Sequence, residues 1–70
     1  MGYKINLTEE QWDKMDFDPD EFGNSMREAA PKAAKVIGAI GYEVPAKSFP
    51  WVVFEFAGEK EALWFRLKYL

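Results

Sequence analysis

The chain has no cysteine and no histidine among its 70 residues. It can therefore form no disulfide, and it lacks the commonest metal ligands and the usual nucleophile–base pairs. Its two serines, Ser25 and Ser48, stand in neither a nucleophile elbow nor a glycine-rich phosphate loop. We predict that the protein is not an enzyme and needs no cofactor.

Long hydrophobic runs are absent as well. The longest candidate, Trp51–Phe56, is interrupted by Glu55, whereas a transmembrane helix needs about 20 predominantly apolar residues. The N-terminal residues lack the apolar stretch of a signal peptide. We expect a cytoplasmic protein without membrane contact, and the lack of cysteine fits such a reducing compartment.

Positive charge is scarce in the first part of the chain. Residues 1–28 hold eight acidic and three basic side chains, a net of −5, whereas residues 29–70 hold four acidic and six basic side chains, a net of +2. Phosphate binding needs a basic face, so this distribution argues against nucleic acid as a direct ligand. It favours a protein partner with a basic surface.

Aromatic residues, in contrast, are abundant: three tryptophans, three tyrosines and six phenylalanines. The length predicts a single domain over residues 1–70, and a domain of this size hides only about 60% of its unfolded surface. Each buried aromatic side chain removes roughly 150–250 Å² from water. A dense aromatic core or self-association is therefore expected to supply stability.

The first predicted elements are a strand and a helix. Tyr3, Ile5 and Leu7 alternate with polar residues, as in a half-buried strand. The segment Thr8–Gln11 then matches a capping box, in which the two terminal side chains each bond to the other residue's amide. We predict a first helix over residues 9–16.

A second helix is predicted to begin with Asp18 at the N-cap and Pro19 at the first helical position. Apolar residues at spacings of three and four continue well beyond this start. Pro31 interrupts them, because proline lacks the N–H that would bond to the carbonyl four residues earlier. We predict a kink or break there, giving helices over 19–29 and 31–40.

The last third of the sequence is predicted to form a β-hairpin. Gly41 is the predicted helix stop, and residues 43–50 form an extended, proline-containing connection. Two strand-like segments follow, 51–56 and 61–70, separated by the glycine-containing turn 57–60.

The predicted fold is therefore α+β, with the element order β-α-α-β-β. It contains a three-stranded, mainly antiparallel sheet with the helices packed on one face. The third strand is the longest, and we expect it at the centre of the sheet, flanked by the first and second strands.

The predicted hairpin has two faces of different character. The face expected to cover the helices consists of Val52, Phe54, Phe56, Leu63, Phe65, Leu67 and Tyr69. The other face carries large apolar residues and an arginine, which are typical of interfaces. Our predicted partner-binding patch on it consists of Trp51, Val53, Trp64 and Arg66. Cover by another segment of the same chain is the alternative for these residues.

Seven acidic residues crowd positions 9–21. Helix starts explain five of them, because carboxylates stabilise caps and first turns, and leave Asp13 and Asp16. We predict that these two help to bind a basic partner. The aspartates spaced from Asp16 to Asp20 lack the glycine and glutamate that complete a calcium loop, so no metal is predicted.

The overall profile is small, acidic, rich in aromatics and free of cysteine and histidine. In type it resembles accessory proteins of phages and mobile elements, which often block a larger host machine. This resemblance implies a binding protein that inhibits a host protein by stoichiometric occupancy. The alternative is a homodimeric accessory protein that self-associates through the outer face of the hairpin.

Overall fold

Three strands and four helices make up residues 2–70, the part of the chain that the computed structural model describes. The strands are β1 (Tyr3–Leu7), β2 (Gly41–Glu43) and β3 (Val52–Phe56), and the helices are α1 (Glu9–Lys14), α2 (Pro19–Phe22), α3 (Met26–Ile37) and α4 (Glu59–Tyr69). All pairing is antiparallel, in the order β1-β3-β2. The predicted α+β class and three-stranded antiparallel sheet are confirmed.

One face of the sheet carries the core. The register pairs Ile5 with Phe54 and Leu7 with Val52, so these side chains point to the same side of the sheet. Together with Phe56 they are at most 4% exposed, and they form one cluster with buried residues of the helices. The helices therefore pack on one face of the sheet, as predicted.

The predicted start signals of the first two helices form as hydrogen bonds. Thr8 Oγ1 accepts the N–H of Gln11 at 3.1 Å, and Gln11 Oε1 accepts the N–H of Thr8 at 2.9 Å. Asp18 Oδ1 accepts the N–H of Asp20 at 2.9 Å, next to Pro19 at the first helical position. Local sequence was therefore sufficient to define both starts.

The predicted second helix is broken well before Pro31. Gly23 has a φ of 96°, which ends α2, and Ser25 starts α3 by accepting the N–H of Glu28 on its Oγ at 3.3 Å. α3 then continues through Pro31 to Ile37 without a break. Of the kink or break predicted at Pro31, the break is wrong, because the chain leaves the helix earlier, where Gly23 permits a positive φ.

Packing explains why α3 tolerates an internal proline. The missing hydrogen bond and the steric conflict cost roughly 3 kcal/mol in a helix interior. A stripe of alanines, none more than 6% exposed, holds α3 in the core on both sides of this position: Ala29, Ala30, Ala33 and Ala34. The helix ends at Gly38, which is left-handed with a φ of 80°, and not at the predicted Gly41.

The strand predicted at the centre of the sheet, 61–70, is not the central strand; the predicted second strand, 51–56, takes that place. The central strand is β3, and its second neighbour is β2, which includes Gly41 and lies partly in the predicted connection 43–50. Backbone bonds extend both ladders: Trp51 N–H donates to the Leu7 carbonyl and Ile40 N–H to the Glu55 carbonyl, each at 2.8 Å. The predicted third strand could not take the centre because it is not a strand.

That segment, predicted as the strand 61–70, is the helix α4. The predicted turn contains the helix start, with Gly58 at the N-cap. Ala62, Phe65 and Tyr69 are spaced three and four apart and pack in or against the core, as a helix requires. Leu63 and Leu67 lie between them, so that Leu63, Phe65, Leu67 and Tyr69 also match the two-residue period of a strand. This second period led to the wrong prediction of a strand.

No helix within residues 2–70 is long and apolar enough to cross a membrane.

Candidate functional site

The structure separates the four residues predicted to form a patch on the hairpin. Val53 is buried on β3, and Trp51 packs against the core just before β3. Trp64 and Arg66 lie exposed on α4. Residues two apart on a helix point to different sides, so these two do not share a face. The patch does not form as predicted, because it depended on a strand that is a helix.

α4 nevertheless presents apolar residues to solvent. Its inner side buries Ala62 and Phe65, which are 7% and 0% exposed. On the opposite side, Leu63, Trp64 and Leu67 are 54%, 49% and 80% exposed. We call these three residues the outer α4 face. Leu63 and Leu67 were predicted to be core, and the helix instead directs them outward.

A groove adjoins the outer α4 face. It has a volume of about 450 Å³ between the end of α3 and the first half of α4, and it is lined by Lys35, Val36, Ile37, Gly38, Lys60, Glu61 and Trp64. Val36 is 55% exposed and extends the apolar surface across the groove. The Nζ atom of Lys68 lies over the ring of Trp64, 4.8 Å from its centroid.

The second candidate surface is the acidic segment of α1, α2 and the turn between them. All seven carboxylate side chains of residues 9–21 are exposed. Across residues 2–70 the only ion pair joins Lys14 Nζ to Glu10 Oε1, at 3.8 Å. Most of this negative charge therefore has no counterion within the described chain, and it creates an attractive field for a basic surface.

Asp16 has a structural role that the sequence analysis missed. Its φ is 55°, in the left-handed region, and its N–H donates to the carbonyl of Asp13 at 3.1 Å. Among residues with a side chain, aspartate and asparagine tolerate this conformation best. Asp16 thus helps to end α1, which stops at Lys14 and not at the predicted residue 16.

Asp13 has no such role and lies at a cleft. The cleft has a volume of about 320 Å³ and is lined by Trp12, Asp13, Phe17, Pro19, Phe22, Gly23, Asn24, Ser25, Met26 and Ala29. We call it the aromatic cleft. Asp13 is the only charged residue in this lining, so the cleft combines apolar walls with one carboxylate.

Ring contacts hold the aromatic cleft together. Phe17 and Phe22 stack with centroids 4.6 Å apart, and Trp12 lies 5.3 Å from Phe17. Trp12 also lies 6.3 Å from Phe54 of the core, and Phe17 lies 6.2 Å from Tyr69 of α4. The walls are therefore anchored to both the sheet and α4, which favours a preformed site.

Groups suited to covalent or metal chemistry are few. Ser25 Oγ accepts the N–H of Glu28 as a helix cap, and Ser48 is exposed in the segment between β2 and β3. No three acidic side chains of residues 2–70 are arranged to hold a metal ion. Asp18, a member of the calcium-like spacing, is engaged as the cap of α2.

Comparison of the chain with protein-family models, with curated proteins and with solved structures found no match.

Proposed function

We propose that this protein is a small non-enzymatic binding domain that occupies a basic surface of a larger protein in a one-to-one complex. The observation that supports this most is the aromatic cleft, whose only charged lining residue is Asp13, within a segment of exposed and mostly unpaired acids. Occupancy would exclude the partner's other ligands. Inhibition of a host protein, the role implied by the resemblance to phage accessory proteins, is the form that we favour.

The two parts of this surface contribute to binding in different ways. The exposed acids attract a basic partner over a distance, which raises the association rate and makes it depend on salt. The aromatic cleft fits a lysine or arginine side chain of the partner. The apolar stem of that side chain packs against the rings, and its cation pairs with Asp13 and adds roughly 0.5–1 kcal/mol by contact with a ring face.

The test begins with capture of the partner from a lysate of the native source and its identification by mass spectrometry. Association and dissociation rates of the purified pair are then measured at low and high salt. The informative variant is Asp13→Asn with Asp16→Asn, because asparagine keeps the left-handed conformation at residue 16 while removing the charge. At low salt we expect the variant to associate several-fold more slowly than the wild type. At high salt the charges are screened, so the two association rates should become equal.

The matched control is Glu43→Gln with Glu55→Gln, which removes the same charge from β2 and β3, on the face of the sheet away from the core. Its effect on association should be clearly smaller. If both double variants slowed association equally, the effect would come from the net charge of the protein and not from the position of the acidic segment. A partner without a basic surface, or a complex in which the two chains are not present in a one-to-one ratio, would contradict the proposal; a dimer of this chain holding two partner molecules keeps that ratio.

A further inference from the structure

α4 is apolar on two opposite sides. Ala62 and Phe65 are buried against the rest of the chain, while Leu63, Trp64 and Leu67 face away from it. A surface helix of a globular protein normally carries one apolar stripe toward the core and polar residues on the opposite side. The outer α4 face therefore has the composition of an interface and not that of an ordinary solvated helix face.

Charged residues flank this face in a regular order. Glu59 and Arg66 are seven residues apart, which places them on one flank of the helix, two turns from each other. Glu61 and Lys68 have the same separation on the other flank. Each flank thus carries an acid in the first turn and a base in the last turn.

We infer that a second copy of this chain covers the outer α4 face, with the two α4 helices packed antiparallel about a two-fold axis near residues 63 and 64. An antiparallel pair brings the same flank of each helix together in opposite directions. Glu59 of each copy then lies opposite Arg66 of the other, and Glu61 opposite Lys68. Both flanks are complementary, and the helix macrodipoles oppose each other favourably.

Parallel packing of the same faces lacks this complementarity. In parallel packing, the flank of one copy that carries Glu59 faces the flank of the other copy that carries Glu61. The acidic residues of both copies therefore meet at one end of the helix pair. Arg66 and Lys68 then meet at the other end, and like charges repel at both. The charge order of α4 therefore selects the antiparallel arrangement.

The antiparallel arrangement also accounts for Lys60 and the groove. Lys60 comes to lie opposite Leu67 of the second copy, where its stem packs on the leucine and its ammonium group reaches the carbonyl end of that helix. The groove lies at the level of Lys60 and Trp64. Leu67 of the second copy, the most exposed of the apolar α4 residues, is thereby brought to the groove.

The size of the surface predicts a weak dimer. An α4 helix of 11 residues is about 16 Å long, whereas a standard interface buries about 800 Å² on each partner. We expect dissociation in roughly the micromolar range or above. This inference does not depend on the proposed function, because the aromatic cleft and the outer α4 face consist of different residues.

The experiment is sedimentation equilibrium of the full chain across about two orders of magnitude of concentration. The wild type should change from monomer to dimer. Glu59→Lys with Glu61→Lys makes both flanks basic, and Arg66→Glu with Lys68→Glu makes them acidic. Each double variant alone should dissociate roughly tenfold more readily or worse, and an equimolar mixture of the two should associate. Circular dichroism of each variant checks that α4 still folds.

Orientation is tested separately, because the chain has no cysteine of its own. Lys60→Cys mixed with Leu67→Cys should form a disulfide-linked dimer under mild oxidation, and either variant alone should not. A wild-type monomer at all concentrations would overturn the inference, as would linkage of each cysteine variant with itself. Loss of foreign-partner binding in Leu67→Asp, with a monomeric wild type, would assign the face to that partner and overturn it too.

Discussion

α3 and α4 are of nearly equal length, 12 and 11 residues, yet the chain uses their apolar side chains differently. The buried residues of α3 are an alanine stripe and Ile37, and its other sides are mainly charged. α4 buries only Ala62 and Phe65 and exposes three large apolar residues, Leu63, Trp64 and Leu67. Apart from the exposed Val36, the core accounts for the apolar residues of α3, whereas three large apolar residues of α4 have no partner within the described chain.

The comparison is tested most strongly by truncating one residue on each side of α4. Phe65 is fully buried and contacts Phe54, Phe56 and Tyr69, with ring centroids 5.3–6.3 Å apart. Phe65→Ala should lower the free energy of unfolding by about 3–5 kcal/mol, which would leave so small a domain largely unfolded. Leu67→Ala should change it by less than about 0.5 kcal/mol.

Urea denaturation at the same low protein concentration measures both variants, so that self-association does not contribute. A large loss of stability in the dilute Leu67→Ala variant would show that Leu67 is part of the core. The distinction between the two sides of α4 would then be withdrawn.

The second test concerns α3 and its internal proline. Pro31→Ala supplies the missing N–H to the carbonyl of Arg27 and removes the steric conflict, while the unfolded chain gains some entropy. We expect a net gain of about 1–2 kcal/mol in the free energy of unfolding, measured by urea denaturation. The control is Pro19→Ala, at a first helical position where no N–H is needed, which should cost about 0.4–1 kcal/mol. A loss of stability in Pro31→Ala would contradict the interpretation that Pro31 destabilises α3 and that packing of the helix in the core compensates.

The smallest expected effect concerns the helix starts. Ser25 caps α3 with its side chain, whereas Gly58 caps α4 with none. Ser25→Ala should cost about 1 kcal/mol. Gly58→Ser should gain a few tenths of a kcal/mol, because a serine three residues before Glu61 completes a capping box once the Glu61 carboxylate moves aside. Thermal unfolding of both variants measures the difference, and destabilisation by Gly58→Ser would contradict the assigned start of α4.

Features encoded within a few neighbouring residues were predictable from the sequence. The strand of Ile5 and Leu7 and the cap bonds of Thr8 and Asp18 each depend on short-range spacing and side-chain chemistry. The α+β class was predicted from these elements together with the C-terminal hairpin, of which only the strand 51–56 is observed, as β3. For the site, the acidic charge of residues 9–21 was also visible, because charge does not depend on how the chain folds.

The outer α4 face could not be predicted, because it required the helical period over residues 59–69 to be recognised. The spacing of Ala62, Phe65 and Tyr69 was a signal for a helix, but Leu63 and Leu67 satisfied the strand period equally well. An apolar residue on an unpartnered face is indistinguishable in sequence from one in the core. The aromatic cleft was missed for a related reason, since the ring contacts of Phe17 with Phe22 and Tyr69 join the connection between α1 and α2 to both α2 and α4.

The sequence by itself determined the charge of the first segment, the places where α1 and α2 begin and the residues able to end a helix. The tertiary structure alone decided that α3 passes through Pro31, that β3 is central and that the last segment is a helix with an outer apolar face. Caps and charges depend on neighbours along the chain, whereas these decisions depend on which distant surfaces bury each other. Burial of Phe65 against Phe54 and Phe56 directs Leu67 into solvent, and it does so through contacts that no local pattern records.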